Sequence, residues 1–164
     1  MDGDGPSIIT GYYTRSAEQE QTMDVERVKC EAARLSPWTH VATVGADGNP
    51  DVSPVHPAWE GDTIWFMAYG SSVKVRNIAH HPNVAMHWQV TEAGDGVEVW
   101  GPAEVFTDLD TKRRLWNGVF SYDLNLFAPG GPEGSPEVAF VAVRPERALY
   151  LVNYGIDGRY TWSA

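Results

Sequence analysis

Between residues 40 and 105 the sequence breaks into short β-rich runs separated by turn signals, and this rhythm constrains the fold more than any other feature. Residues 40–44 stop at Asp47-Gly48-Asn49, where Asp and Gly tolerate the positive φ of a tight hairpin. Residues 51–56 form the next run, and Pro50, Pro54 and Pro57 each remove a ladder donor, which places this strand at an edge or a bulge. Glu60-Gly61-Asp62 turns the chain into residues 63–68, an apolar run of buried-strand length. Residues 83–90 resume the pattern, and 93–96 reverse it into 97–105. Strands joined mostly by hairpins imply an antiparallel meander that closes or nearly closes on itself. Near the end, the β-branched content of residues 138–143 favours a central strand; 147–154 continue as strand, and Asp157-Gly158 turns into a last segment at 159–162.

Three helices are expected around this sheet. Ser16 with Gln19 three residues on reads as a capping box, and Val25, Val28, Ala32 and Leu35 follow at helical spacing until Pro37. A helix of two to three turns is expected over 73–80, opened by Tyr69-Gly70-Ser71-Ser72, with Val75, Ile78 and Ala79 on its inner face and Pro82 beyond its end. Asp108-Leu109-Asp110 caps a third, containing Lys112, Arg113, Leu115, Trp116 and Val119, in which Lys112-Arg113-Arg114 reads as a solvated face. Residues 123–136, rich in proline and glycine, read as a loop. Residues 1–15 show no sustained period and are expected to be a mobile arm, which leaves 16–164 as a single domain.

Composition removes several classes of function. With 12 Lys and Arg against 22 Asp and Glu, the net charge of −10 repels phosphate backbones and argues against nucleic-acid binding. Cys30 is the one cysteine, so no intrachain disulfide and no cysteine-based zinc site forms. No run approaches the ~20 apolar residues that span a bilayer, and the acidic start lacks the character of a signal peptide. A soluble, cytoplasmic protein without a membrane partner is therefore expected. His80, His81 and His87 lack the spacing of a metal site, so no metal is expected. There is no Gly-x-Ser-x-Gly elbow, no G-x-G-x-x-G and no P-loop.

The chemistry concentrates at the start of the middle helix. First-turn N–H groups without helical partners carry about half a positive charge, and the Ser71 and Ser72 hydroxyls with the Lys74 ammonium add donors around the same point. A phosphate fits there; the same residues also fit a plain helix cap with Lys74 in solvent.

The order of elements, together with the stretch from Ile64 through Ser71-Ser72-Val73-Lys74 to Ile78 and then His81-Pro82-Asn83-Val84-Ala85, resembles the FMN-binding split-barrel family typified by pyridoxamine 5′-phosphate oxidase, and more closely its general-stress-protein branch. The resemblance covers roughly residues 20–162. It implies a mainly β fold with flanking helices, an antiparallel split barrel of six to seven strands. It also implies FMN held between two protomers of a homodimer, and an oxidoreductase acting on a small molecule, with NAD(P)H as an electron donor. Ser71, Ser72 and Lys74 would hold the phosphate. Ser53, Pro54, Val55 and His56 would contact the ring or ribityl chain, as would Trp65, Phe66, Met67 and Ala68, and Trp100 or Trp162 would close the pocket from the second subunit. No side-chain nucleophile or acid–base pair is implied, because the reaction belongs to the cofactor.

This chain departs from the family pattern in two ways. Asp51 and His56 stand where the family often places Arg and Lys, and Ser72 stands where an Arg commonly precedes the Lys, so the anion site carries less charge. His56 donates as a cation only when protonated, with an ordinary pKa near 6.5, and it fits a histidine without ligand duty equally well. Nothing basic follows Trp162, whereas the true oxidase has an Arg-containing motif there, so pyridoxamine 5′-phosphate oxidation itself is not expected. Two alternatives remain open: an F420-dependent reductase, whose anionic tail would call for a basic groove, and a non-catalytic flavin-binding module. Trp65, Phe66 and Met67 also fit a purely structural core.

Overall fold

The structure, a computed structural model, describes residues 20–164. The expected arm at 1–15 and the Ser16–Gln19 capping box lie outside the described residues.

Helix α1, Val25–Leu35, starts where Asp24 supplies the cap, its side chain accepting from the Arg27 N–H at 2.8 Å. Val28 and Ala32 face the core as their spacing requires. The helix therefore begins later than the capping box suggested. The residues before it, Glu20–Thr22, instead form β1, which pairs in parallel with the last strand, a partner too distant in sequence for local pattern to reveal.

The hairpin rhythm becomes β2 (Thr39–Val44), β3 (Pro50–Val55), β4 (Ala58–Glu60) and β5 (Thr63–Tyr69); α2 (Val73–His80) then leads to β6 (Asn83–Trp88) and β7 (Gly96–Phe106). After α3 (Leu109–Trp116) and a one-turn helix α4 (Gly131–Gly134) come β8 (Val138–Val143), β9 (Arg147–Val152) and β10 (Gly158–Ser163). The three-residue β4 was not expected, and the 123–136 segment is less irregular than its composition suggested: besides α4 it holds a 3₁₀ turn at Leu124–Leu126.

One curled sheet results, with the order β1-β10-β9-β7-β6-β2-β3 and a branch β4-β5-β8 that joins at β7. Except for β1, its pairings are antiparallel, and the architecture is the mainly β split barrel. Strand β3 ends one path, so its prolines cost no ladder bond to a further strand. Strand β7 is the spine: 96–100 pair with β9 and 103–106 with β8, and the chain crosses between them at Arg144–Glu146. Gly101 sits at this crossing, where a Cβ would run into the Arg144 carbonyl.

Two cores flank β5 and β8. Phe66, Ile64, Val41, Met86, Val99 and Val141 fill the barrel with Val28 of α1 and Ile78 of α2. Trp65, Phe140, Val138, Leu115 of α3 and Leu124 make the second. All six residues of β8 are buried, because cores lie on both of its faces; this is why its sequence alternates so poorly.

Two expectations about helix faces need correction. On α2 the buried residues are Val75, Asn77 and Ile78, whereas Ala79 is exposed; the Asn77 amide finds a partner indoors, donating to Thr43 Oγ1 at 3.0 Å. On α3, Lys112 is not solvated but 4% exposed, its ammonium donating to the Ser135 carbonyl at 3.0 Å, while Arg113 and Arg114 stay outside and pair with Glu133 and Glu60.

Candidate functional site

The three long helices of the structure open differently. Asp24 caps α1 and Asp108 caps α3 through side-chain bonds, and each first turn carries an acid, Glu26 and Asp110, as the helix dipole favours. At α2 both devices are missing. Ser72 occupies the cap position with extended backbone but makes no side-chain cap bond, and the first turn holds no acid. Its Oγ is buried without a partner.

Cations gather at this end instead. Lys74 lies in the first turn, and Arg76 bends back so that Nη1 donates to the Ser71 carbonyl. Two positive groups at a helix N-terminus oppose the dipole. In a chain with 22 acidic residues, neither forms an ion pair with a described residue. The arrangement is unfavourable for a plain cap and favourable for an anion.

Strand β3 packs near α2 and contributes a second orphan, Ser53 Oγ, buried without a partner. Among the described residues the other such atoms are Thr39 Oγ1 and Trp65 Nε1. A buried hydroxyl left unbonded costs about 1–3 kcal/mol, so each calls for an explanation. Alternation along β3 turns Pro54 outward, while Val55 is sunk in the barrel core at 6% exposure.

His56 lies in an aromatic stack. Tyr122 is parallel to it at 4.0 Å between centroids, Trp38 is tilted against it at 4.6 Å, and Tyr122 Oη donates to the His56 carbonyl at 3.2 Å. Burial lowers the His56 pKa below its ordinary 6.5, so the imidazole is neutral at pH 7 and supplies no positive charge to a phosphate. Burial pushes the Tyr122 hydroxyl up to about 12. The stack runs on through Phe127 to Tyr69, whose hydroxyl donates to the Phe127 carbonyl, and so reaches the turn that opens α2.

Strand β5 alternates as expected, but its two faces are both well covered. Phe66 is fully buried in the barrel, and Trp65 packs in the second core beneath Arg114, whose guanidinium lies 5.2 Å from its ring. Met67 and Ala68 are half-buried. The side chains of Val55, Phe66 and Trp65 are therefore taken up by packing.

Trp100 and Trp162 both line a groove of about 480 Å³. Trp100 stands on the outer face with the Arg147 guanidinium 4.2 Å from its ring centroid; Trp162 pairs with Ala148 in the register and is half-buried against the barrel core. A second groove of about 390 Å³ shares Trp100 and Arg147 and extends to β2 and β6. Ser71, Ser72 and Lys74 line neither groove, so within one chain the helix start and the tryptophan pair remain separate.

Sequence reading missed Arg76, Trp38, Tyr122 and Arg147. Arg76 was findable, since a residue four places beyond the cap lies on the same face one turn on, where a long side chain can reach back to the helix start. Trp38 and Tyr122 meet His56 only through the fold. Among the described residues no three His, Cys, Asp or Glu side chains cluster as metal ligands, and no helix is long and apolar enough to cross a membrane.

Comparison with known proteins identifies the family and the fold. A protein related to general stress protein 26 from Clostridium acetobutylicum superposes with a TM-score of 0.70 at 16% identity, covering 86% of this chain and 96% of its own. A pyridoxamine 5′-phosphate oxidase-related, FMN-binding protein from Nostoc punctiforme gives 0.61 at 12% identity over 85% and 94%. An F420 reductase gives 0.52 at 26% identity over 70% and 90%. Comparison with curated proteins gives no match. The sequence profile of pyridoxamine 5′-phosphate oxidase matches residues 31–152, the span from late α1 to the end of β9, and the chain belongs to that family.

Proposed function

We propose that this chain is an FMN-binding flavoprotein, an oxidoreductase acting on a small molecule, that anchors the flavin phosphate at the start of α2 and works as a homodimer. The observation that carries this reading is the inverted electrostatics of α2: an uncapped N-terminus, an orphaned Ser72 hydroxyl and two cations without acidic partners among the described residues. A phosphate would accept from the free first-turn N–H groups and the Ser72 hydroxyl and would neutralise Lys74 and Arg76. The residues present fit the group, although the charge comes from Arg76 and not from β3, where Asp51 and a neutral His56 stand.

When bound, the flavin supplies hydride or single-electron transfer. The chain's own part is to hold the phosphate, orient the ring near β3 and the Met67–Ala68 end of β5, and exclude water. The tryptophan groove lies apart from α2 within one protomer, which favours a site completed by a second copy; NAD(P)H would serve as the electron donor.

The F420 reductase neighbour favours a second reading, in which the deazaflavin replaces FMN on the same fold. Titration of the purified protein with each cofactor, followed by absorbance and fluorescence, decides between them. The proposal expects FMN to bind more tightly, and Lys74→Ala to weaken it by about 10- to 150-fold, since a charge-assisted phosphate contact contributes roughly 1.5–3 kcal/mol. Unchanged FMN affinity in that variant would refute the anchor, and tighter F420 binding would favour the second reading.

A further inference from the structure

Four large apolar side chains that face solvent gather in one place: Trp38 is 49% exposed, Tyr69 51%, Leu126 76% and Phe127 48%. Ring contacts join them into a strip. His56 lies between Trp38, at 4.6 Å, and Tyr122, at 4.0 Å; Tyr122 meets Phe127 edge to face at 5.8 Å, and the Tyr69 hydroxyl donates to the Phe127 carbonyl at 3.2 Å. A loose segment is not the cause of this exposure. Leu124 and Ala128, on either side of Leu126 and Phe127, are each 1% exposed in the second core, so the segment is anchored and presents its apolar side chains outward. The strip is continuous with the anchor at α2, because the Ser72 N–H donates to the Tyr69 carbonyl at 2.9 Å.

The strip carries no charge at pH 7, since the Tyr122 hydroxyl is protonated and the His56 imidazole neutral. Asp123, next to Tyr122 in the chain, is spent on the Asn125 N–H and side-chain amide at 2.9 and 2.8 Å. A charged ligand would lose its hydration here with no opposite charge to replace it, whereas a flat neutral one would bury apolar surface at no such cost. The imidazole supplies polarity without charge: neither ring nitrogen has a hydrogen bond to a described residue. An aromatic side chain has about 150–250 Å² to bury, so these four half-exposed groups offer roughly 400–500 Å². That is about half of the ~800 Å² per partner of a stable protein interface, and it suits a small molecule better than a second copy.

We propose that this strip is the substrate side of the flavin site and takes a flat, uncharged ring compound. Trp38 and Phe127 cover its ring system, and a His56 ring nitrogen makes its one directional hydrogen bond. The inference rests on the cofactor reading, because the strip reaches the α2 anchor through Tyr69.

Calorimetric titration of the full chain at saturating FMN with 2-naphthamide and 2-naphthoate, which differ in charge but hardly in shape, tests the proposal. Naphthamide is expected to bind at least tenfold more tightly than naphthoate. Trp38→Ala and Phe127→Ala, each shown to be folded by a cooperative melting transition, should weaken naphthamide at least fivefold, with most of the loss recovered in Trp38→Phe. His56→Phe keeps a ring in the stack but removes the hydrogen bond, and should weaken naphthamide about threefold or more. Equal affinity for the two probes would overturn the proposal, as would unchanged naphthamide affinity in both alanine variants. Competition between naphthamide and FMN would also overturn it, because the flavin ring would then lie on the strip itself. So would a failure of naphthamide to bind while Phe127→Ala dissociated a dimer in sedimentation, because a second copy would then cover the strip. Protein that bound FMN but no naphthamide would refute this inference alone; protein that bound naphthamide but no FMN would refute the cofactor reading and the strip's place beside it.

Discussion

Replacing Ser72 by alanine separates a helix cap from a ligand anchor by the sign of its effect on stability. At an ordinary cap, loss of the hydroxyl costs about 0.5–2 kcal/mol, because the N–H it served is left unpaired. At α2 that bond is not made, and the Ser72 oxygen is itself a buried acceptor and donor without a partner. Removing it relieves a desolvation cost of about 1–3 kcal/mol and adds none; since the rest of the residue is only half-buried, the lower end applies, near 1 kcal/mol. For a chain of this size that raises the midpoint of thermal unfolding by roughly 2–4 °C. The same substitution removes a donor to a phosphate, a hydrogen bond to a charged group contributing about 1.5–3 kcal/mol, or roughly a 10- to 150-fold loss of FMN affinity. The assay is a pair of melting curves, without flavin and with saturating FMN. The expected result is a crossover: the variant melts higher than wild type without flavin and gains less from FMN. A lower melting point in the flavin-free variant would show that the hydroxyl is a working cap and would refute the argument from α2.

The same reasoning extends to two other positions. His56 has its pKa lowered by burial, so between that value and the unfolded value near 6.5 the unfolded chain binds more protons. Its contribution to stability is therefore complete above pH 6.5 and falls as the solution is acidified through that window; melting curves from pH 7.5 to 5 should show this fall, with less of it in His56→Phe. Lys112→Met keeps the stem but removes the buried ammonium that serves the Ser135 and Pro136 carbonyls, and should lower stability by about 1–3 kcal/mol in urea unfolding; an unchanged midpoint would mean that solvent reaches those carbonyls.

Helix electrostatics give the functional reading most of its force. Helices α1 and α3 follow the rule of an acidic cap and an acidic first turn, so the departure at α2 is not a general feature of this chain. Stability alone would favour an acid there.

Local sequence determined what local physics controls. Alternation and turn chemistry located the hairpins around Gly48 and Gly61, the proline content of β3 marked it as an edge, and residue spacing gave the extent of α2 and its polar start. Ser71, Ser72 and Lys74 were legible because helix termini have fixed needs that short-range sequence either meets or does not. Tertiary structure decided whatever depends on which elements meet. That 20–22 would be a strand rather than the beginning of a helix required β10; that Asn77 and Lys112 would be buried required Thr43 and the Ser135 carbonyl. The ring stack around His56 is made by Trp38 and Tyr122, brought from either side, and the pairing of Trp100 with Arg147 by strands that lie far apart in sequence. Periodicity tells which way a side chain points, but its neighbours, and so its charge state and partners, are fixed only when distant strands close the barrel.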